Sequence, residues 1–106
     1  MSLHSQFRTV LQTLAYSQVN NSIEFNNYFD TWKLIQVTEP MKTKLGIAFD
    51  KDEISIAKPE IKRGVDSLGK PKETVAVWSF KNQKIALVPS QYITVLEGEF
   101  NLNNIP

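Results

Sequence analysis

The run Glu73-Thr74-Val75-Ala76-Val77-Trp78-Ser79-Phe80 carries the strongest β signal of the sequence, and Lys84-Ile85-Ala86-Leu87-Val88 repeats that signal shortly after it. β-Branched and aromatic residues favour extended strands, and the polar residues 81–83 between the two runs are typical of a turn. Residues 73–88 are therefore predicted to form an antiparallel hairpin. After it, Pro89-Ser90-Gln91-Tyr92 predicts a single helical turn, and residues 93–96 predict a last strand.

Toward the N-terminus, a period of two predicts further strands. Residues 32–38 are rich in β formers and end at Glu39-Pro40. Apolar residues alternate with polar or small ones over 45–49 and again over 54–57. Asp50-Lys51-Asp52 between these stretches is typical of a tight turn. The sequence therefore predicts a second hairpin over residues 45–57.

Residues 58–72 interrupt this β pattern. They contain Pro59, Gly64, Gly69 and Pro71, and these residue types oppose regular structure. We predict an irregular connection over this stretch. Such a connection is long for a compact domain, and long loops are usually functional or mobile.

The N-terminal residues follow a helical period instead. Phe7, Val10, Leu11 and Leu14 recur at i, i+3, i+4 and i+7, which predicts a helix over residues 4–19. Their apolar stripe has two interpretations: it packs across an open end of the sheet, or it pairs with a second copy of the chain or a partner's groove. Residues 22–30 fit either a short second helix or a strand.

Together these patterns predict a single domain over residues 1–106 of mainly β (α+β) class. A helical N-terminal segment covers 1–30, a small barrel or rolled antiparallel sheet of about five strands covers 31–100, and 101–106 form a frayed polar tail. Hydrophobic residues make up 42% of the 106 residues and charged residues 22%. These shares are ordinary for a globular domain and argue against disorder along the chain.

The run from Ala86 to Glu97, Ala-Leu-Val-Pro-Ser-Gln-Tyr-Ile-Thr-Val-Leu-Glu, resembles the end of an SH3 domain, where a Pro-Ser-Asn-Tyr turn joins two strands. The resemblance implies an SH3-like barrel. It also implies an aromatic groove for a protein ligand, to which Trp78, Pro89 and Tyr92 correspond by position. The family's opening Ala-Leu-Tyr-Asp-Tyr motif and its acidic loop are not found in this sequence.

Trp78 and Phe80 share one strand face with Ala76, while Val75 and Val77 occupy the other. Both faces of this strand are therefore apolar. One interpretation, which we favour, is burial of the aromatic face under the N-terminal helix. The other is an exposed aromatic patch for a partner, with Phe80 beside the three residues named by the resemblance.

The stretch 58–72 has an excess of positive charge, which indicates a second candidate surface. A flexible basic loop can neutralise phosphates, and its affinity then depends on salt. The residues in question are Lys58, Lys62, Arg63, Lys70 and Lys72. Aromatic residues are not interleaved with them, which weakens a platform for stacking single-stranded bases. A solvated loop explains the same charges.

Composition argues against several classes of function. Cysteine is absent and His4 is the single histidine, so thiolate or histidine metal sites and a Cys nucleophile are not expected. Asp50, Asp52 and Glu53 lack the spacing of a calcium loop, and no phosphate-cradling glycine motif occurs. We therefore expect no metal, no cofactor and no catalytic residue.

The overall charge and hydropathy narrow the partner and the compartment. The formal charge is +1, which creates no global attraction to nucleic acid or anionic lipid. No apolar run approaches the roughly 18 residues of a membrane span, and no secretory signal is visible, so a cytoplasmic protein is expected.

The sequence thus favours a non-enzymatic protein-interaction module, acting as an adaptor, inhibitor or assembly component. Its predicted binding surface consists of Trp78, Phe80, Pro89 and Tyr92. The alternatives are nucleic-acid binding through residues 58–72 and a small enzyme or a regulatory subunit of one.

Overall fold

The computed structural model describes residues 3–19, 29–97 and 101–102. It consists of one α-helix, nine strands within those residues and a 3₁₀ turn. They are α1 (Leu3–Val19), β1 (Lys33–Val37), β2 (Met41–Lys42), β3 (Ala48–Phe49), β4 (Glu53–Ala57), β5 (Glu60–Val65), β6 (Pro71–Ser79), β7 (Lys84–Pro89), the 3₁₀ turn Ser90–Tyr92, β8 (Ile93–Val95) and β9 (Asn101–Leu102). The mainly β class with an N-terminal helix is confirmed.

The main sheet is antiparallel and curls into a half-barrel. Strand β1 lies next to the edge strand β8 and pairs with β4 on its other side. Strand β4 continues to β6, and β6 pairs with β7 along the hairpin that the sequence predicted. The 3₁₀ turn connects β7, which pairs with β6, to β8, which pairs with β1. The chain thus passes from one side of the sheet to the other between these two strands.

Successive residues of the strands point to opposite faces of the sheet and build two apolar clusters. The strand cluster comprises Ile35, Val37, Ile47, Phe49, Ala57, Val75, Val77, Ala86 and Val88. The helix cluster comprises Leu11, Ala15, Val19, Phe29, Trp32, Leu34, Ile56 and Trp78. Each large side chain removed from water contributes about 1.5–3 kcal/mol, so both faces of the sheet stabilise the fold.

Helix α1 covers the helix cluster with one side only. Leu11, Ala15 and Val19 are buried, and their spacing of four residues keeps them on one face. Gln12 fixes the helix to the turn before β1, because its amide Nε2 donates to the carbonyl oxygen of Phe29 at 2.6 Å. The helix also contacts the segment that follows β8, where an Arg8 nitrogen lies 3.3 Å from a carboxylate oxygen of Glu97.

The second predicted hairpin is wrong in its pairing. Strand β3 pairs with β2, and β4 pairs with β1, so the turn at residues 50–52 joins two strands of different sheets. Local chemistry explains the difference. Gly46 has a φ of +87°, which favours glycine, and the Thr43 hydroxyl accepts the Ile47 N–H at 3.1 Å. These two features place a turn where a continuous strand was predicted.

The irregular connection predicted for residues 58–72 is also wrong. Strands β5 and β6 form a second hairpin there, in which Arg63 pairs with Glu73 and Val65 with Pro71. Pro71 is tolerated because it is the first residue of its strand. This hairpin, residues 60–74, is called the basic hairpin below.

Two remaining predictions concern the ends of described segments. Asn101 and Leu102, which were predicted to belong to a frayed tail, pair in parallel with Glu60 and Ile61 of β5. Residues 103–106 lie outside the described residues. Residues 20–28 also lie outside the described residues. They include most of the stretch 22–30, for which a short helix and a strand were the two alternatives.

Candidate functional site

Trp78 is part of the core. Its side chain is 3% exposed and lies under α1, which confirms the burial that the sequence favoured. Its indole Nε1 donates to the Gln18 side chain at 2.8 Å, and its ring centroid lies 5.4 Å from that of Phe29. A buried indole needs such a partner for its N–H. Trp78 is therefore wrong as a member of an exposed binding surface.

The other three predicted surface residues lie in different places: Phe80 and Tyr92 pack against different clusters, and Pro89 belongs to neither. Phe80 is partly buried against the helix cluster, and its carbonyl oxygen accepts the Gln18 amide at 3.0 Å. Tyr92 is partly buried against the strand cluster, and Pro89 is half-buried at the entry of the 3₁₀ turn. The sheet separates Trp78 and Phe80 from Tyr92, so the predicted aromatic surface is not assembled. A role for these residues in binding stays a prediction.

The basic side chains of residues 58–72 are all exposed, as predicted for that stretch. Lys58 lies in the connection between β4 and β5, while the other four belong to the basic hairpin. The hairpin holds them at defined positions, because they are carried by paired strands and a fixed turn. These four residues therefore belong to an ordered hairpin and not to the flexible basic loop that the sequence suggested.

Asp66 fixes the turn of the basic hairpin. One of its carboxylate oxygens accepts the backbone N–H groups of Leu68 at 2.8 Å and Lys70 at 3.0 Å. Gly69 follows the central residues of the turn and has a φ of +78°, the conformation typical of the residue after a type I turn in a hairpin loop. The pattern Asp66-Ser67-Leu68-Gly69, with Asp first and Gly fourth, is typical of a type I turn. It is the sequence signal that would have revealed this hairpin.

A groove of about 670 Å³ runs between the basic hairpin and the 3₁₀ turn. We call it the hairpin groove. It brings together Pro89 from the predicted aromatic surface and Arg63 and Lys72 from the predicted basic surface. Its lining consists of Arg63, Gly64, Pro71, Lys72, Glu73, Pro89, Ser90 and Gln91. Sequence reasoning missed the other five, because their proximity depends on the pairing of β5, β6 and β7; they are Gly64, Pro71, Glu73, Ser90 and Gln91.

The charges of the hairpin groove are unevenly paired. The Arg63 Nε donates to a carboxylate oxygen of Glu73 at 3.2 Å across the two strands. Both side chains keep nearly half of their surface exposed, and an ion pair in that setting contributes about 0.2–1 kcal/mol. Lys72 takes part in no ion pair with another described residue. The groove thus presents a cation that the described part of the chain does not neutralise.

A second surface lies on the outside of α1. Phe7, Val10 and Leu14 remain exposed, whereas Leu11 from the same predicted stripe is buried. The stripe therefore does not pack across the sheet as a whole, because Leu11, Ala15 and Val19 define the buried side of the helix. Pairing of the exposed part with a second copy stays a prediction.

The acidic turn predicted at residues 50–53 is built as turn chemistry requires. Glu53 accepts the backbone N–H of Asp50 at 2.9 Å, and Asp50 pairs with the ammonium group of Lys81. The hydrogen bond between Lys81 and Asp50 raises the pKa of Lys81 above its ordinary value of 10.5. Within residues 3–19, 29–97 and 101–102, no cluster of three His, Asp or Glu side chains is arranged to hold a metal ion.

Comparisons with known proteins leave the chain without a match, whether against family models, curated proteins or solved structures. The helix found among the described residues is too short and too polar to cross a membrane. The geometry of the chain itself is therefore the basis for assigning a function.

Proposed function

We propose that the chain is a non-enzymatic interaction module that binds an extended segment of a partner protein in the hairpin groove. One observation carries this proposal: the groove gathers residues from both predicted surfaces, Pro89, Arg63 and Lys72, around about 670 Å³. Pro71 and Pro89 offer apolar contact at its rims. The polar groups of Ser90 and Gln91 offer hydrogen bonds that orient a main chain.

The placement of the 3₁₀ turn supports an SH3-like arrangement of this module. The run that resembles the end of an SH3 domain coincides with β7, the turn Ser90–Tyr92 and β8. In our proposal the module uses the neighbouring hairpin groove rather than an aromatic groove, because Trp78 supports α1 from below. The ligand is therefore recognised by polar and charged contacts around Pro89.

Filling the groove tests this function. Ser90 is half-buried in the groove lining, so Ser90→Trp adds bulk where the ligand would lie. Lys44→Trp adds the same side chain at an exposed position that does not line the groove. Each tagged variant is used to capture partners from nuclease-treated lysate, with circular dichroism as the folding control.

We expect a specific protein that binds the wild type and Lys44→Trp and is lost with Ser90→Trp. Capture that is equal for all three chains would contradict the proposed function. Partners that are present only without nuclease would favour the second candidate described next.

The second candidate function is nucleic-acid binding through the basic hairpin. It is favoured by the exposed Lys62, Arg63, Lys70 and Lys72 on one ordered projection. Each phosphate contact would release counterions, so the affinity for a labelled oligonucleotide should fall steeply with salt. Lys62→Ala with Arg63→Ala should weaken binding, while Lys44→Ala with Lys51→Ala is the matched control. Binding that does not change with salt would contradict this candidate.

The proposal also covers compartment and assembly. We place the module in the cytoplasm, which fractionation of cells that express a tagged chain would test.

Self-association through Phe7, Val10 and Leu14 would give a dimer by light scattering, and Val10→Lys should return it to a monomer. A wild-type mass equal to one chain at all concentrations would contradict self-association.

A further inference from the structure

Two successive cross-strand pairs of the basic hairpin line the groove, and they differ in charge. Arg63 lies opposite Glu73, and Gly64 lies opposite Lys72. Residues that are directly opposite in an antiparallel pair have Cβ atoms about 4.5–5.5 Å apart, close enough for their side chains to interact. Arg63 therefore has an acidic neighbour within the hairpin, whereas Lys72 faces a residue without a side chain.

Gly64 is not required by the backbone. Its φ lies outside the left-handed region, and a Cβ added to it would meet no atom within 4 Å. A side chain therefore fits at this position without strain. The structural consequence of glycine here is open space beside Lys72, at the edge of the hairpin groove.

We infer that the carboxylate of a ligand occupies this space, and that the hairpin groove binds acidic extended peptides. This inference rests on the proposed function of the groove. Charge complementarity supports it, because Lys72 in the groove lining forms no ion pair with another described residue. Lys62 and Lys70, which lie on the same hairpin outside the lining, add positive charge nearby. A carboxylate that pairs with an ammonium group forms a charge-assisted hydrogen bond, which is stronger than a neutral one.

The lining of the groove favours a peptide over a nucleic acid. It contains no aromatic side chain among the described residues, so bases have no surface on which to stack. Pro71 and Pro89 instead provide apolar contact for the side chains of a peptide.

The test uses a variant of the protein that carries its own carboxylate beside Lys72, in the place proposed for the carboxylate of the ligand. A library of random 12-residue peptides displayed on phage is selected on the wild-type chain, and the selected peptides are synthesised and titrated. Gly64→Glu places an acid opposite Lys72, and Gly64→Gln adds a neutral side chain of the same size. Lys72→Met removes the cation and serves as a second variant if Gly64→Glu alters folding.

We expect selected peptides that are enriched in Asp and Glu. Their affinity should fall roughly tenfold with Gly64→Glu and with Lys72→Met, and change little with Gly64→Gln. Selected peptides that lack acidic enrichment, or that bind Gly64→Glu as well as the wild type, would overturn this inference. If Ser90→Trp still removed their binding, the proposed function would stand without it.

Two further outcomes separate the remaining cases. A library that yields no peptide sensitive to Ser90→Trp would overturn the proposed function and this inference together. The other outcome concerns a 20-nucleotide single-stranded DNA. If this DNA binds the wild type, loses affinity with Gly64→Glu and displaces every selected peptide, then Lys72 binds phosphate. That result would overturn the peptide inference.

Discussion

The two ends of β6 illustrate how one strand serves two purposes. From Thr74 to Ser79 the strand is buried, and its side chains enter the strand cluster and the helix cluster in turn. From Pro71 to Glu73 it is exposed and belongs to the basic hairpin. Along this one strand, the aromatic residue Trp78 supports the fold, while the charged residues beyond the core stay exposed.

The largest expected effect comes from breaking the buried end. Trp78→Ala removes the indole between α1 and the sheet, and truncation of a buried aromatic residue typically costs about 3–5 kcal/mol. The free energy of unfolding, measured in urea, should fall by that amount. Trp78→Phe keeps most of the apolar volume and should cost less. An unchanged midpoint for Trp78→Ala would contradict its place in the core.

A smaller effect is expected at Gln18, which links the buried end to α1. Its side chain accepts from the Trp78 indole and donates to the Phe80 carbonyl. Gln18→Ala leaves the indole N–H without this partner, which costs about 1–3 kcal/mol. Ser17→Ala on the exposed side of the helix is the control. Equal midpoints for the two variants would show that the link contributes nothing.

Ionisation of Tyr16 at high pH should weaken the docking of α1. Burial raises the pKa of Tyr16 above its ordinary value of 10.0, and the hydrogen bond to Asp30 acts in the same direction. The folded state therefore favours the neutral phenol. Its contribution to stability is full below about pH 10 and is lost as the pH rises through the folded pKa.

Tyr16→Phe removes the hydrogen bonds that the phenol oxygen donates to Asp30 and accepts from the Phe29 N–H, and it should cost about 1 kcal/mol at neutral pH. The variant should then lose less stability than the wild type between pH 9 and about pH 11. Parallel pH profiles of the unfolding free energy for the two chains would contradict this role.

The smallest effect on stability is expected at the exposed end of β6. Lys72→Met alters a side chain without an ion pair in the described structure, so the unfolding free energy should change by no more than about 0.5 kcal/mol. The same variant should weaken binding to the hairpin groove. A large loss of stability would show that Lys72 supports the fold and would remove the contrast between the two ends.

The sequence predicted those elements whose residues carry a strong local period. Helix α1 and the hairpin of β6 and β7 follow from such periods, and each lies close to its predicted range. The 3₁₀ turn after Pro89 was predicted from its residue types, and it too lies close to its predicted range. Burial of Trp78 under the helix was favoured for a simple reason: both faces of its strand are apolar. No exposed surface is needed to explain such a strand.

The candidate site was harder to predict, because it depends on pairing between distant residues. The glycines and prolines of 58–72 indicated a loop, yet Gly69 serves the turn and Pro71 begins a strand. The Asp66 turn signal was present, and reading it would have predicted the basic hairpin. No local pattern predicts that Gly64 faces Lys72 or that Ser90 lies across the groove.

Strand β1 lies between two partners that are far apart in the sequence, and this has a consequence for how the chain folds. Ile35 pairs with Ser55 on one side and with Val95 on the other, so one edge of β1 cannot pair until β8 has been made. Such non-local pairing is associated with folding in milliseconds to seconds. During synthesis β1 therefore keeps an unpaired edge until Val95 has left the ribosome. An unpaired strand edge of this kind is open to strand-to-strand aggregation.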